Sequence, residues 1–206
     1  MISTSLYVAL GDSITAGYGV GSHNFAQLYY STLLSQTPKL RFINFSINGL
    51  TTSKQANLLI SNPSLRNFIT QARVITLTIG SNDLIGVGIA ILRGSQPNIP
   101  ATLANMTQQL QFIGQQIRSL NPVALVKVST IYNPLPAGPY YQYSAPAQGL
   151  MNQANEIIVH WAKRYGFGVV QVDRAFRGKE NLVIGPDHFH PNLIGHQIIA
   201  SEFAKY

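Results

Sequence analysis

The sequence lacks cysteine and contains few charged residues. No cysteine occurs among its 206 residues, which excludes disulfide bonds, zinc sites built on thiolates and a cysteine nucleophile. Only 10% of the residues are Asp, Glu, Lys or Arg, against roughly 25% in an average soluble domain. Because acidic residues number only seven, the position of each one is informative.

Long apolar runs are also absent. No window reaches about 18 uninterrupted apolar residues, and no basic region followed by an apolar stretch opens the chain. We therefore expect neither a signal peptide nor stable insertion into a membrane. A cytoplasmic location is slightly favoured, although a secreted protein whose leader has been removed would look the same.

The residues that are present predict a compact protein. The chain is 46% hydrophobic, unlike the polar and highly charged chains that stay disordered. Its length is sufficient to enclose a substantial apolar core. We expect residues 1–206 to form a single domain without an interdomain linker, and we expect a monomer.

The net charge of +7 raises nucleic acid or an anionic membrane as a partner. The basic residues are scattered singly, however, and only Lys163 and Arg164 are adjacent. A weakly basic, solvated surface is the simpler interpretation. We therefore expect no nucleic-acid partner.

Short β-branched or apolar runs alternate with segments of helical periodicity along the chain. The runs predict five strands, at Leu6–Leu10, Leu40–Ile47, Val74–Ile79, Val123–Thr130 and Val169–Val172. The periodic segments predict helices at Phe25–Ser35, Thr52–Ile60, Leu103–Leu120, Met151–Tyr165 and Leu193–Phe203. Such alternation is typical of the α/β class, in which helices cover both faces of a parallel sheet.

The stretch Ile131–Ala147 is the least regular part of the chain. Its prolines and tyrosines disfavour a long regular element and predict a loop. Aromatic residues often line ligand clefts, but packing of a half-exposed loop is an equal alternative. The candidates for lining a pocket are Tyr132, Tyr140, Tyr141 and Tyr143.

Polar residues follow three of the predicted strands. Residues 11–13 (Gly-Asp-Ser) follow the first strand, Gly49 follows the second, and residues 80–83 (Gly-Ser-Asn-Asp) follow the third. In open α/β sheets, ligands bind beyond the carboxyl ends of the strands. Each group by itself is equally well explained as a turn or a helix cap, because Asp, Ser and Asn are common capping residues.

An acid and an imidazole lie together near the C-terminus, where Asp187 precedes His190 by three residues. A serine hydroxyl needs a base to become nucleophilic, and that base needs a partner that holds its tautomer. Ser13, His190 and Asp187 are the residue types of such a triad. The side-chain amide of Asn82 and the backbone N–H of Gly49 are suitable donors to a developing oxyanion.

A metal site is an alternative use of the same segment. Asp187, His188 and His190 could form a ligand cluster, with His196 approaching from the last helix. One short segment seldom encloses a metal by itself, and His188 and His196 are more simply rim or surface histidines. We expect no metal.

Three glycines after the first strand resemble a dinucleotide-binding loop. Gly17, Gly19 and Gly21 alternate, but Ser22 occupies the position where the Gly-x-Gly-x-x-Gly pattern needs its third glycine. We interpret these glycines as a flexible loop that borders the site, and we expect no cofactor.

Taken together, the four blocks resemble those of the GDSL, or SGNH, hydrolases. The blocks are GDS at 11–13, Gly49, GSND at 80–83 and DHFH at 187–190, and they extend over nearly the whole chain. The sequence departs from the usual GDSL wording at Ile14, where the family has leucine. This change of branching should leave the chemistry intact.

The resemblance implies a flavodoxin-like three-layer α/β/α sandwich, in agreement with the alternation described above. It implies that Ser13 is the nucleophile, that His190 is the general base and then the acid, and that Asp187 orients His190. The N–H of Ser13, Gly49 and Asn82 would form the oxyanion hole.

The resemblance also implies hydrolysis of carboxylic esters through an acyl-serine intermediate, without a metal or an organic cofactor. We expect a small-molecule ester or lipid substrate with a short or medium acyl group. Lysophospholipids, thioesters and acetylated sugars remain open. A catalytically silent protein that binds a glycan or lipid in the same cleft is the alternative, although three of the four aspartates lie inside the motif blocks.

Overall fold

The computed structural model describes residues 5–205. Its five strands are β1 (Leu6–Gly11), β2 (Arg41–Asn44), β3 (Ala72–Thr78), β4 (Leu125–Ser129) and β5 (Gly168–Val170). They form a single parallel sheet in the order β2-β1-β3-β4-β5. The predicted five-stranded parallel sheet is therefore confirmed. The expected domain also includes residues 1–4 and 206, which lie outside the described residues.

Helices connect the strands throughout. They are α1 (Ser13–Ala16), α2 (Phe25–Gln36), α3 (Thr52–Ser61), α4 (Pro63–Gln71), α5 (Ser81–Leu92), α6 (Ile99–Leu120), α7 (Ser144–Arg164), α8 (Val172–Phe176), α9 (Glu180–Val183) and α10 (Leu193–Ala204). Each predicted strand and helix has a counterpart among them.

Two apolar layers cover the sheet, and β1 contributes to both. Leu6, Val8 and Leu10 pack with buried residues of α3, α4, α6 and α7. Tyr7 and Ala9 face the other way and pack with buried residues of α2, α8, α9 and α10. Because successive strand residues point to opposite faces, a strand buried on both faces is apolar throughout. The predicted three-layer α/β/α sandwich is confirmed.

The boundary of α7 differs most from its prediction. The helix begins at Ser144 and not at Met151, and Pro146 lies in its first turn. Proline is tolerated there because the first N–H groups of a helix have no intrahelical acceptor. The predicted loop therefore ends at residue 143, and it contains two 3-10 turns, Leu135–Ala137 and Tyr141–Tyr143.

None of the helices predicted from the sequence covers α4 or α5. Asn62 caps α4, since its side-chain oxygen accepts a hydrogen bond from the N–H of Leu65, and Pro63 begins the helix. In α5 nearly every position is apolar. A continuous apolar run shows no 3.6-residue period, so periodicity does not reveal this helix.

A charged side chain lies inside the sandwich. Lys127 of β4 is buried between the sheet and the layer that contains α2 and α10. Its Nζ donates hydrogen bonds to the hydroxyl of Tyr29 and the carbonyl oxygen of Phe203, both at 2.7 Å. Burial lowers the pKa of Lys127. This lysine thereby joins the last turn of α10 to the centre of the sheet.

Candidate active site

Ser13 occupies the first position of α1, immediately beyond the end of β1. Gly11 has a φ of +135°, and a Cβ at this position would collide with the carbonyl oxygen of Thr78, so the turn requires glycine. Asp12 is the N-cap of α1, because its Oδ1 accepts a hydrogen bond from the N–H of Ile14 at 3.1 Å. The side chain that caps α1 is therefore that of Asp12, and the cap does not use the hydroxyl of Ser13.

Asp12 also holds this turn against β3. Its backbone N–H donates to the carbonyl oxygen of Thr78, and the hydroxyl of Thr78 donates to its Oδ1 at 2.8 Å. Thr15 extends the network, with its Oγ1 2.7 Å from that of Thr78. Burial raises the pKa of Asp12 to about 6, although hydrogen bonds from Thr78 and Ile14 and the charge of His190 oppose this shift.

The imidazole of His190 joins Asp187 to Ser13. Its Nδ1 lies 2.6 Å from Oδ2 of Asp187, and its Nε2 lies 2.9 Å from Oγ of Ser13. An ionised carboxylate can only accept hydrogen bonds. With Asp187 ionised, Nδ1 of His190 therefore carries the proton, and Nε2 accepts a hydrogen bond from the serine hydroxyl.

Asp187 is held in its ionised form. Its Oδ1 accepts hydrogen bonds from the backbone N–H groups of Phe189 and His190, both at 3.0 Å. Burial alone would raise the pKa of Asp187, but these hydrogen bonds, together with the His190 side chain, outweigh it and lower the pKa. The carboxylate is therefore suited to stabilise a positively charged imidazole.

The loop that carries His190 is fixed on several sides. The hydroxyl of Tyr132 donates to the carbonyl oxygen of Phe189 at 2.8 Å. The backbone N–H of Gly185 donates to the carbonyl oxygen of His190 at 2.7 Å. Asn192 then caps α10, with its Oδ1 accepting from the N–H of Gly195. These contacts hold His190 in place without engaging its ring nitrogens.

The loops that carry Gly49 and Asn82 meet at the same edge of the sheet. The N–H of Ile47 donates to the carbonyl oxygen of Gly11 at 2.9 Å, which joins the end of β2 to the end of β1. Nδ2 of Asn82 donates to the carbonyl oxygen of Leu50 at 3.1 Å, one residue beyond Gly49. Within residues 5–205, the N–H of Gly49 has no hydrogen-bond acceptor.

The capping alternative for the third block is wrong. Gly80 occupies the N-cap of α5, and no side chain caps this helix. Asp83 has a different task, because its two carboxylate oxygens accept from the N–H and the hydroxyl of Thr52, at 3.0 and 2.7 Å. This pair joins the start of α5 to the start of α3.

The two other histidines of the metal alternative lie in different environments. His188 is exposed at the rim, as predicted, with a φ of +63°. His196 is fully buried, which corrects its interpretation as a rim or surface residue. Its Nδ1 accepts a hydrogen bond from the N–H of Phe25 at 3.1 Å, so it joins α10 to α2. Across residues 5–205, no group of three or more His, Cys, Asp or Glu side chains is arranged to hold a metal ion.

The candidate pocket-lining tyrosines separate into two groups. Tyr132 is buried in the apolar layer and supports the His190 loop, so it does not line a pocket. Tyr140, Tyr141 and Tyr143 are exposed. The ring of Tyr140 lies 5.9 Å from that of Phe189, which places this loop beside the block that contains His190.

A cleft of about 230 Å³ opens beside His190 and Asp187. Tyr18 and Gly19 border it on one side, which agrees with the prediction that the glycine loop borders the site. Pro186 and Leu193 line the other side. A larger groove of about 630 Å³ lies between α6 and α7 and shares no lining residue with this cleft.

An α/β/α sandwich that brings a serine, a histidine and an aspartate together at the carboxyl edge of its sheet has the architecture of a hydrolase. The chain belongs to the GDSL-like Lipase/Acylhydrolase family, which it matches over residues 9–198. It is accordingly a carboxylic ester hydrolase that acts on small-molecule esters.

Individual relatives agree with this family. The chain is 25% identical over 208 residues to the spore germination lipase LipC of Bacillus licheniformis, covering 97% of this chain and 94% of LipC. The crystal structure of the lipase Lip_vut3 from a goat rumen metagenome superposes with a TM-score of 0.83 at 23% identity, over 98% of this chain and 97% of that one. Axe2, an acetylxylan esterase of Geobacillus stearothermophilus, superposes with a TM-score of 0.75 at 18% identity, over 100% and 95% of the two chains.

Proposed function

We propose that the protein cleaves carboxylic esters with Ser13 as nucleophile, His190 as general base and acid, and Asp187 as the residue that orients His190. The observation that carries this proposal is the continuous hydrogen-bonded path from Asp187 through His190 to Ser13, at 2.6 and 2.9 Å. Each member is positioned by separate contacts, so the path does not depend on one flexible side chain.

The first step forms an acyl-serine. As Oγ of Ser13 attacks the carbonyl carbon of the ester, its proton moves to Nε2 of His190. The imidazolium that results is stabilised by the carboxylate of Asp187. The tetrahedral intermediate then collapses, Nε2 returns the proton to the departing alkoxide, and the alcohol leaves.

The second step releases the acid. Water attacks the acyl-serine while His190 accepts its proton, and collapse of the second tetrahedral intermediate regenerates the hydroxyl of Ser13. The proposed oxyanion hole consists of the N–H of Ser13, the N–H of Gly49 and Nδ2 of Asn82. Because Asn82 keeps one N–H on the carbonyl oxygen of Leu50, its amide is oriented before the negative charge develops.

The proposed substrate carries a short or medium acyl group. The cleft of about 230 Å³ is smaller than the roughly 300–1,000 Å³ of sites that enclose a drug-sized ligand. The lining of this cleft includes Asp187 and His190 but neither Ser13 nor the proposed oxyanion donors, so the cleft lies beside the nucleophile, and its volume fits only a small group of the substrate. The names of the relatives, a lipase and an acetylxylan esterase, are compatible with acyl esters of either a lipid or a sugar. We also propose that the chain forms one domain, since both apolar layers are built on a single sheet, and that it works as a monomer.

Trapping of the acyl-enzyme tests this proposal. A chromogenic acetyl ester should release its alcohol in a burst of one equivalent per protein, and mass spectrometry should find the acetyl group on the peptide that contains Ser13. Ser13→Ala should lose the burst and the adduct while keeping its melting temperature, because only a small side chain is lost. Ser35→Ala, an exposed serine on α2, is the matched control. An adduct on another residue, or undiminished turnover by Ser13→Ala, would contradict the assignment.

A further inference from the structure

Helix α5 lies on the surface although nearly all its residues are apolar. From residue 84 to residue 92 the sequence contains only Leu, Ile, Val, Ala and Gly. A surface helix normally carries polar residues on its outer face, and a helix that is apolar all round is normally buried. In α5 only Leu84 and Val87 are buried. The exposed fractions range from 42% to 52% for Ile85, Ile89, Ile91 and Leu92.

The apolar surface of α5 begins at the active site. Asn82 and Asp83, in the first turn, are hydrogen-bonded to Leu50 and Thr52 beside the proposed oxyanion hole. At about 1.5 Å per residue, the 12 residues of α5 span roughly 18 Å in all. Tyr18 and Ile47, which follow β1 and β2 at the same edge of the sheet, are 49% and 47% exposed. Tyr18 borders the cleft, and Ile47 and α5 follow the ends of the two strands that neighbour β1. Apolar side chains from three adjacent strand ends therefore lie along this edge of the sheet.

Apart from Asp83 in the first turn of α5, whose carboxylate accepts hydrogen bonds from Thr52, the charged residues beside this helix along the chain and at the start of α3 are basic. No Asp or Glu occurs between residues 84 and 155, and Arg93 follows the last turn of α5 directly. Lys54, on the first turn of α3, is exposed, and its Nζ lies 3.5 Å from the carbonyl oxygen of Gly49. The chain as a whole carries +7. Aliphatic side chains flanked by cations match the chemistry of an anionic phospholipid surface, which attracts basic groups and accepts apolar ones.

We infer that α5 docks on the surface of an anionic phospholipid bilayer and holds the catalytic cleft against it. The helix lies on the membrane and does not cross it; no helix within the described residues is both long and apolar enough to span a bilayer. A second copy of the chain fits α5 less well. Protein interfaces use aromatic and arginine anchors within a polar rim, whereas the exposed side chains of α5 before Arg93 are aliphatic, and two copies of charge +7 repel each other.

Vesicle binding tests this inference without depending on the proposed chemistry. The Ser13→Ala protein is mixed with vesicles of phosphatidylglycerol and phosphatidylcholine, or with vesicles of phosphatidylcholine alone, and the bound fraction is measured by flotation. We expect binding to the anionic vesicles that weakens at high salt, and much weaker binding to the neutral ones. Because the Ser13→Ala protein lacks the proposed nucleophile, its binding to vesicles tests the role of α5 independently of hydrolysis.

The matched variants remove apolar surface at two places. Ile89→Gln with Leu92→Gln changes two exposed residues on one face of α5, and glutamine is a good helix former. We expect about tenfold weaker binding to anionic vesicles, with unchanged hydrolysis of a dissolved acetyl ester. Ile60→Gln, at a 62% exposed position near the end of α3, is the control and should bind like the parent. Arg93→Gln should weaken binding at low salt only.

Three outcomes would overturn the inference. The parent protein could fail to bind anionic vesicles, or the α5 double variant could bind as well as the Ile60→Gln control. Alternatively, sedimentation could show a dimer that the α5 double variant converts to a monomer while vesicle binding is unaltered, in which case a second copy covers this helix. Circular dichroism of each variant verifies that the comparison is made between folded proteins.

Discussion

The ring of Tyr18 lies against the imidazole of His190, with the ring centroids 4.4 Å apart and the planes inclined at 34°. The N–H of Tyr18 also donates to the carbonyl oxygen of Ser13 at 3.0 Å. The turn that carries the proposed nucleophile therefore also carries an aromatic face for the proposed base. An aromatic face stabilises a nearby cation through its quadrupole, and in the proposed mechanism His190 becomes a cation as the tetrahedral intermediate forms.

Replacement of Tyr18 should therefore slow the chemical step. We expect Tyr18→Leu to lower kcat about threefold to tenfold, from the roughly 1 kcal/mol of a cation–π contact at a partly exposed site. Tyr18→Phe keeps the aromatic face and should retain most of kcat. The measurement is steady-state hydrolysis of a dissolved acetyl ester. Equal activity of the Leu and Phe variants would show that the aromatic face plays no part.

Asn82 provides a second kinetic prediction. If its amide donates to the oxyanion, Asn82→Ala should lower kcat about 10²- to 10³-fold with little change in KM. Asn82→Asp should be at least as damaging, because a carboxylate repels both an oxyanion and the carbonyl oxygen of Leu50 that the amide now contacts.

Asn98 is the matched control for Asn82. Its Oδ1 caps α6 by accepting from the N–H of Ala101, so Asn98→Ala should cost about 1 kcal/mol of stability and leave kcat unchanged. Both variants are assayed for turnover and for thermal melting. Recovery of turnover in Asn82→Asp would refute an oxyanion role.

The buried carboxyl of Asp12 should destabilise the protein at neutral pH. Burial raises its pKa from 3.8 to about 6, so the folded state binds this proton more tightly than the unfolded chain. The stability from that proton is complete below 3.8 and is lost as the pH rises through about 6. The shift corresponds to about 3 kcal/mol.

Asp12→Asn should therefore raise the free energy of unfolding by about 1–2 kcal/mol at pH 8. The amide keeps the oxygen that Ile14 and Thr78 contact, but its N–H group replaces an oxygen that has no partner, which offsets part of the gain. The advantage should shrink toward pH 4. The charges of Asp12 and His190 interact favourably, and Asp12→Asn removes this interaction. We therefore also expect the variant to have a lower kcat. Urea unfolding at several pH values measures the change in stability, and steady-state hydrolysis measures the change in kcat. A variant that is less stable than wild type at pH 8 would contradict the prediction that the buried charge of Asp12 destabilises the protein.

His196 should act in the opposite direction over the same range of pH. Burial, followed by the charge of His190, lowers its pKa from 6.5 to about 4. The folded state therefore resists protonation, and the stability that His196 contributes is complete above 6.5 and lost as the pH falls toward 4. We expect this loss to be on the order of 3 kcal/mol.

His196→Gln isolates this contribution. Glutamine does not titrate and can still accept from the N–H of Phe25, whose present acceptor is Nδ1 of His196. The variant should be less stable than wild type at pH 8, because a fully buried ring is lost, and the difference should narrow as the pH falls to 4. A difference that is independent of pH would show that His196 does not titrate in this range.

Much of the fold was predictable because its signals are local. Val74–Ile79, for example, was predicted as a strand and β3 is found at Ala72–Thr78, since a strand buried on both faces is an apolar run wherever it lies in the sheet. Helix α5 escaped prediction for the same reason, because an apolar run without period does not distinguish helix from strand. Lys127 was equally unpredictable, since its acceptors come from α2 and α10, far along the chain.

The order of strands and helices, the glycine at position 11 and the polar blocks at the strand ends can all be read from the amino-acid sequence, because each of these depends on neighbouring residues. That Asp12 caps α1 while the hydroxyl of Ser13 meets His190, which is 177 residues away, is known from the folded structure alone. The folded structure also shows that His196 is buried and that α5 is exposed. Burial and the pairing of distant side chains depend on which surfaces the folded chain brings together, and no local pattern contains that information.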